Sequence, residues 1–177
     1  MGDRVKLLHF ALLSEAIYFI EKYKAIKINS TPKIYKSKDF YILIGGVGKA
    51  KTKNSLEYFL ANFEVKKAFN IGIAAINSKK VEVGELFCTT HNLPHIKYAP
   101  LITSTAPVTT STKKELTLYD MEGEIFFNIL QKKLSKEDIY IFKVVSDYLE
   151  NKILPKAFIK SLFIKRFKEI DYYLKQD

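Results

Sequence analysis

Three acidic side chains stand where a folded chain can use them for chemistry. Glu15 lies in the first helical turn after the first strand. Glu122 opens a helix after a short strand, and Asp147 ends the most hydrophobic strand, with Ser146 beside it. Open α/β sheets bind ligands at such strand and helix ends. Carboxyl groups there can accept hydrogen bonds or move a proton, and the Ser146 hydroxyl can donate to Asp147. Each also has a purely structural use. An acid at a helix N-terminus contributes a few tenths of a kcal/mol up to about 1 kcal/mol, and Asp147 can cap the segment after it.

Glycines gather at the same ends, at Gly45, Gly46, Gly48, Gly72, Gly84 and Gly123, where a missing Cβ lets backbone approach a ligand. Gly46-x-Gly48-Lys49 lacks the second half of a dinucleotide fingerprint and is not a Walker loop. His9, His91 and His95 have no helical ligand spacing, and one cysteine cannot build a structural zinc site. Cys88, beside Phe87 in a buried strand, is a poor nucleophile. No metal and no cofactor is expected.

The elements that must position these groups follow from periodicity. Strands are predicted at Val5 to Phe10, Lys33 to Tyr35, Phe40 to Ile44, Ala68 to Ile73, Gly84 to Thr89, Leu116 to Tyr119 and Ile139 to Val145. Helices are predicted over Ser14 to Lys24, Lys51 to Phe63, Gly123 to Leu134 and from Pro155 onward. The last helix is predicted to bury Ile159, Phe163, Phe167, Ile170 and Leu174. Strands alternating with helices argue for an α/β sandwich. Turns too short for a crossover helix predict a mixed central sheet.

Composition narrows the classes. At 177 residues one domain over residues 1–177 is expected. The lone cysteine excludes an internal disulfide and suits a reducing cytoplasm. No apolar run reaches the ~20 residues of a membrane span, so no membrane partner is expected. The net charge of +10 comes almost wholly from lysine, with Arg4 and Arg166 the two arginines. A dispersed lysine surface predicts weak attraction to polyanions without specificity, so no specific nucleic-acid partner is expected.

Read in order, the motifs resemble the nucleoside phosphorylase/nucleosidase superfamily, most closely its methylthioadenosine/S-adenosylhomocysteine nucleosidase branch. Ala11-Leu12-Leu13-Ser14-Glu15 is similar to that family's acidic first turn, and Ile44 to Lys49 to its glycine loop. Asn70 to Ala75 resembles its central loop, and Val83-Gly84-Glu85-Leu86 the strand after it. Asp120-Met121-Glu122-Gly123 resembles its ribose-binding segment, and Val144-Val145-Ser146-Asp147 its catalytic Ser-Asp.

The resemblance implies a three-layer α/β/α sandwich and hydrolysis of a purine nucleoside's N-glycosidic bond, without a cofactor. It implies that Asp147, kept protonated by burial, is general acid to purine N7, and that Glu15 holds or deprotonates the attacking water. Glu122 would bind the ribose hydroxyls, Met121 would pack on the sugar, and Ser146 would support Asp147. Gly72 and Ile73 would line the substrate from the central loop. Pro107 stands where a stacking Phe is expected, leaving the main chain of Val108 to read the base edge. A homodimer is implied as well.

Hydrolysis is favoured over phosphorolysis because Glu15 and Ile73 stand where phosphate would need cations and hydroxyls. A purine nucleoside phosphorylase or a futalosine-type hydrolase is the alternative enzyme. A non-catalytic binder of a nucleoside or a protein is the alternative outside enzymes.

Overall fold

A computed structural model of the protein describes residues 4–176. The chain runs β1 (Val5–Phe10), α1 (Leu13–Lys22), β2 (Ile26–Ser30), β3 (Lys33–Lys36), β4 (Phe40–Ile44), α2 (Lys49–Asn62), β5 (Val65–Ile76), β6 (Leu86–Cys88), β7 (Lys97–Tyr98), β8 (Leu101–Thr103), β9 (Leu118–Asp120), α3 (Gly123–Leu130), β10 (Ile139–Asp147) and α4 (Lys156–Leu174).

One ten-stranded sheet is ordered β2-β3-β4-β1-β5-β10-β6-β7, with β9 also pairing with β5, and β8 with β9. Its centre is parallel: β1 lies between β4 and β5, and β10 on the far side of β5. β3 runs antiparallel to both β2 and β4, and β6 runs antiparallel to β10 while pairing in parallel with β7, so the sheet is mixed, as the short turns predict. Strands covered on both faces read as continuous apolar runs rather than alternating ones. Val5–Phe10 and Ile139–Asp147 are such runs, and β5 extends past its predicted Ala68–Ile73 core at both ends.

Helices α1 and α4 cover one face, around Phe10, Phe19, Phe142 and Phe163. Helices α2 and α3 cover the other, around Leu7, Leu56, Phe59 and Phe126. The α4 stripe has Ile159, Phe163, Ile170 and Leu174 buried as expected, adds Leu162, and leaves Phe167 partly covered against Phe19. The architecture is the three-layer α/β/α sandwich.

Two departures have plain causes. Strand β2 is absent from the sequence reading because Ile26, Lys27 and Ile28 are all exposed at the sheet edge, so no buried face marks a period. Helix α3 stops at Leu130 rather than Leu134, and Lys133 and Leu134 close tight turns back onto the Leu130 carbonyl. No helix among the described residues is long and apolar enough to cross a membrane.

Candidate active site

The parallel strands all point their C-terminal ends at one cavity. It has a volume of about 360 Å³ and is lined by Leu12, Glu15, Val47, Ile73, Pro107, Val108, Met121, Glu122, Ser146, Asp147 and Ile159, among others. That volume falls within the roughly 300–1,000 Å³ typical of small-ligand sites. A larger cleft of about 700 Å³, near the N-terminal ends of β1 and β5, is walled by Arg4, Asn62, Glu64, Lys66 and Lys133. It gathers no buried acid. The cavity at the C-terminal ends draws Glu15, Glu122 and Asp147 together from three distant stretches of chain.

Glu15 is buried at the start of α1. Its Oε2 accepts the Leu12 N–H at 2.9 Å and its Oε1 accepts the Ile73 N–H at 3.0 Å. The first bond caps α1 and the second ties the helix to β5, so the same contacts that end a helix also aim the carboxylate. Burial lifts its pKa from 4.5 to about 7, against the lowering pull of those two N–H groups and of Lys143, while the charge of Glu122 adds to the rise. A carboxyl group poised there suits proton transfer near neutral pH.

Lys143 is a buried charge close to this site that no sequence motif singles out. It interrupts the apolar run of β10, is fully buried, and its Nζ lies 2.8 Å from Asp120 Oδ2. Asp120 also accepts the Gly123 N–H at 2.8 Å and the Thr103 hydroxyl at 2.5 Å. Desolvation would lower the Lys143 pKa, but the charges of Asp120, Glu122 and Glu15 outweigh it and leave it raised. The available signal was a lysine in the middle of Ile139–Asp147, where a buried charge must have a partner.

Gly72 sits between Lys143 and Glu15. A Cβ there would come within 3.2 Å of Glu15 Oε1 and 3.3 Å of Lys143 Nζ. Gly72, expected to line the substrate, is not among the residues that line the cavity. It lies behind the cavity wall, and its missing side chain makes room for the charged pair.

Glu122 is the N-cap residue of α3, and its Oε1 accepts the Gly48 N–H at 2.7 Å. Gly48 has φ +91°, a left-handed backbone that glycine adopts without strain. Burial raises the Glu122 carboxyl, opposed by Lys143 and by its N–H donors. The Met121 side chain reaches across the same loop, with Cε 4.0 Å from where a Gly48 Cβ would lie.

Asp147 differs from expectation in its burial, being only half-buried at the cavity rim. Strand β10 ends there, so one side of the carboxylate faces the opening. Oδ2 accepts the Ser146 hydroxyl at 2.6 Å, and Oδ1 accepts the Glu150 N–H at 2.9 Å. The capping use of Asp147 is therefore present alongside its place in the cavity. Ile73 and Val108 line the cavity, and Pro107 joins them.

No family model matches the chain, and no curated protein matches it by sequence. Solved structures do. The 5′-methylthioadenosine/S-adenosylhomocysteine nucleosidase of Helicobacter pylori superposes with a TM-score of 0.79 at 13% identity, covering 98% of this chain and 100% of that one. The native futalosine hydrolase of the same organism gives 0.78 at 13% identity over 96% of this chain and 98% of that one. A variant MTAN of Chlamydia trachomatis, solved with MTA bound, gives 0.74 at 15% identity over 97% and 100%. The likeness establishes the fold, that of the nucleoside phosphorylase/nucleosidase sandwich.

Proposed function

We propose that a chain of this fold, carrying Glu15, Glu122 and Asp147 around one cavity, is a nucleosidase that hydrolyses the N-glycosidic bond of a purine nucleoside. The observation that carries this reading is the convergence of the three carboxylates, with Glu15 raised to about 7, on a cavity of about 360 Å³. The superposed proteins, nucleosidases and a futalosine hydrolase, support the reaction class.

In this reading Asp147 is the general acid, its carboxyl proton passing to purine N7 as the C1′–N9 bond breaks. Glu122 accepts the ribose hydroxyls and favours the positive charge that develops on the sugar, and Met121 packs against the ring. Glu15, ionised, takes a proton from the water whose oxygen bonds to C1′. The products are the free base and the free sugar, and no phosphate is consumed. Ile73 and Glu15 disfavour an anion at the nucleophile's place, one by bulk and one by charge. Lys143, held by Asp120, balances the buried acids so that Glu15 can ionise. The main chain at Val108 reads the base edge, with Pro107 giving up the stacking contact of an aromatic ring. A homodimer is part of the same reading.

Incubation with methylthioadenosine, S-adenosylhomocysteine, adenosine and inosine tests it, with free base followed by chromatography. Base should appear without phosphate, and Asp147→Asn should lower the rate about 10²–10⁴-fold while the circular dichroism spectrum stays unchanged. Base released only with phosphate means phosphorolysis. A melting temperature raised by these nucleosides without turnover means a binding protein.

A further inference from the structure

We propose that His9 is a positioning residue for Glu122, its imidazole setting the gap between the glycine loop after β4 and the start of α3. The position of the ring does not depend on the nucleosidase reading. Its effect on turnover does.

His9 is fully buried near the end of β1, in register with Asn70 of β5. Its Nδ1 lies 2.8 Å from Asn70 Nδ2, an amide donor, so Nδ1 is the acceptor and Nε2 carries the proton. Burial, with Lys143 nearby, holds the pKa down to about 3, so the ring stays neutral across the physiological range.

The ring touches both elements that Glu122 joins. On one side, a Cβ on Gly45 would fall 2.2 Å from His9 Nε2 and 2.9 Å from Ser55 Oγ of α2. The imidazole therefore fills the space a side chain at position 45 would take. On the other side, the ring packs on Phe126 of α3, with centroids 5.4 Å apart. The Phe126 N–H in turn bonds the Glu122 carbonyl at 3.0 Å. The ring thus meets Gly45, three residues before Gly48, and Phe126, four residues after Glu122, and Gly48 and Glu122 are the two ends of the hydrogen bond between the loop and α3.

An apolar ring could fill the same space more cheaply. His9 Nε2, Thr52 Oγ1 and Asn70 Oδ1 are buried without a hydrogen-bond partner among the described residues, and unpaired buried polar atoms oppose folding. The retained imidazole gains its fixed orientation from Asn70, which a side chain unable to accept that bond would lack. Orientation is what a wedge between two elements requires, and displacements of about 1 Å at a site can cost about 10²-fold in rate.

Amide NMR on the full chain reads the wedge directly. The Gly48 amide proton, bonded to a carboxylate, should resonate downfield and move in Glu122→Gln. His9→Asn keeps an acceptor for Asn70 but no longer reaches Gly45. It should shift the Gly48 amide upfield and speed its hydrogen exchange about tenfold or more, with the Lys36 amide on the far edge unmoved. His9→Gln, which regains the reach, should restore both. A Gly48 amide unmoved in His9→Asn overturns the proposal.

Should His9→Asn fail to fold alone, adding Gly45→Ala, whose methyl takes up the vacated space, should restore the native circular dichroism spectrum, and a double variant that stays unfolded overturns the proposal; where His9→Asn folds, the stabilities give a second reading. Gly45→Ala should cost much less stability in the His9→Asn background than in the wild type. Equal cost would mean no wedge contact, again overturning the proposal. With methylthioadenosine, His9→Asn should lower kcat/KM about tenfold or more, and His9→Gln should recover most of it. A wild-type protein without turnover would remove the nucleosidase reading and leave the NMR result to decide the role of His9.

Discussion

Glu15 shows how one carboxylate serves folding and chemistry together. Its bonds to Leu12 and Ile73 fix α1 against β5, while burial raises its pKa from 4.5 to about 7. The folded protein binds that proton more tightly than the unfolded chain does. Stability from this group is therefore complete below about pH 4.5 and is lost as pH rises to about 7. At 1.36 kcal/mol per pH unit the loss is about 3 kcal/mol. Glu15→Gln removes it, so the melting temperature of the variant relative to wild type should be higher at pH 8 than at pH 5. An equal difference at both pH values would contradict the buried, shifted acid. The kcat/KM of the wild type should climb with pH through about 7 as Glu15 ionises. Asp147 was legible from the Ser-Asp pair at the end of an apolar strand. Its exposure was not, because the opening on its free side depends on how the loop of residues 148–155 leaves β10.

At the scale of elements, the central strands were readable because burial on both faces leaves runs that are mostly apolar, broken at Lys6, His9, Asn70 and Lys143. Strand β2 was not, since its exposed edge carries no such pattern. The Lys143–Asp120 pair was hidden for a different reason. The two residues lie 23 positions apart, and only the placement of β9 and β10 on either side of β5 brings them together. Breaking a buried pair leaves one charge uncompensated. Lys143→Met should therefore cost about 3–5 kcal/mol in chemical denaturation. Lys143→Met combined with Asp120→Asn should cost distinctly less, because no bare charge remains. If the double variant is as unstable as the sum of the singles, the ion pair does not organise this end of the sheet. The glycine loop belongs to this scale too. Gly48 at φ +91° offers its N–H to Glu122, so Gly48→Ala strains the backbone and loosens the carboxylate in one change.

At the scale of the whole molecule, two helical layers cover a mixed sheet, and every candidate residue except Gly72 lines one cavity at the strand ends. The order of motifs along the chain was visible in sequence; their meeting point was not, since it depends on the crossing of β1, β5 and β10. On the proposed function, three acids from those distant stretches surround a single bound nucleoside. A crystal structure of Asp147→Asn soaked with methylthioadenosine tests it most directly. Purine N7 should lie about 3 Å from the side chain at position 147, with ribose hydroxyls on Glu122 and a water held by Glu15 on the face opposite the base. A nucleoside bound elsewhere, or seated with its sugar away from Glu15 and Glu122, would contradict it.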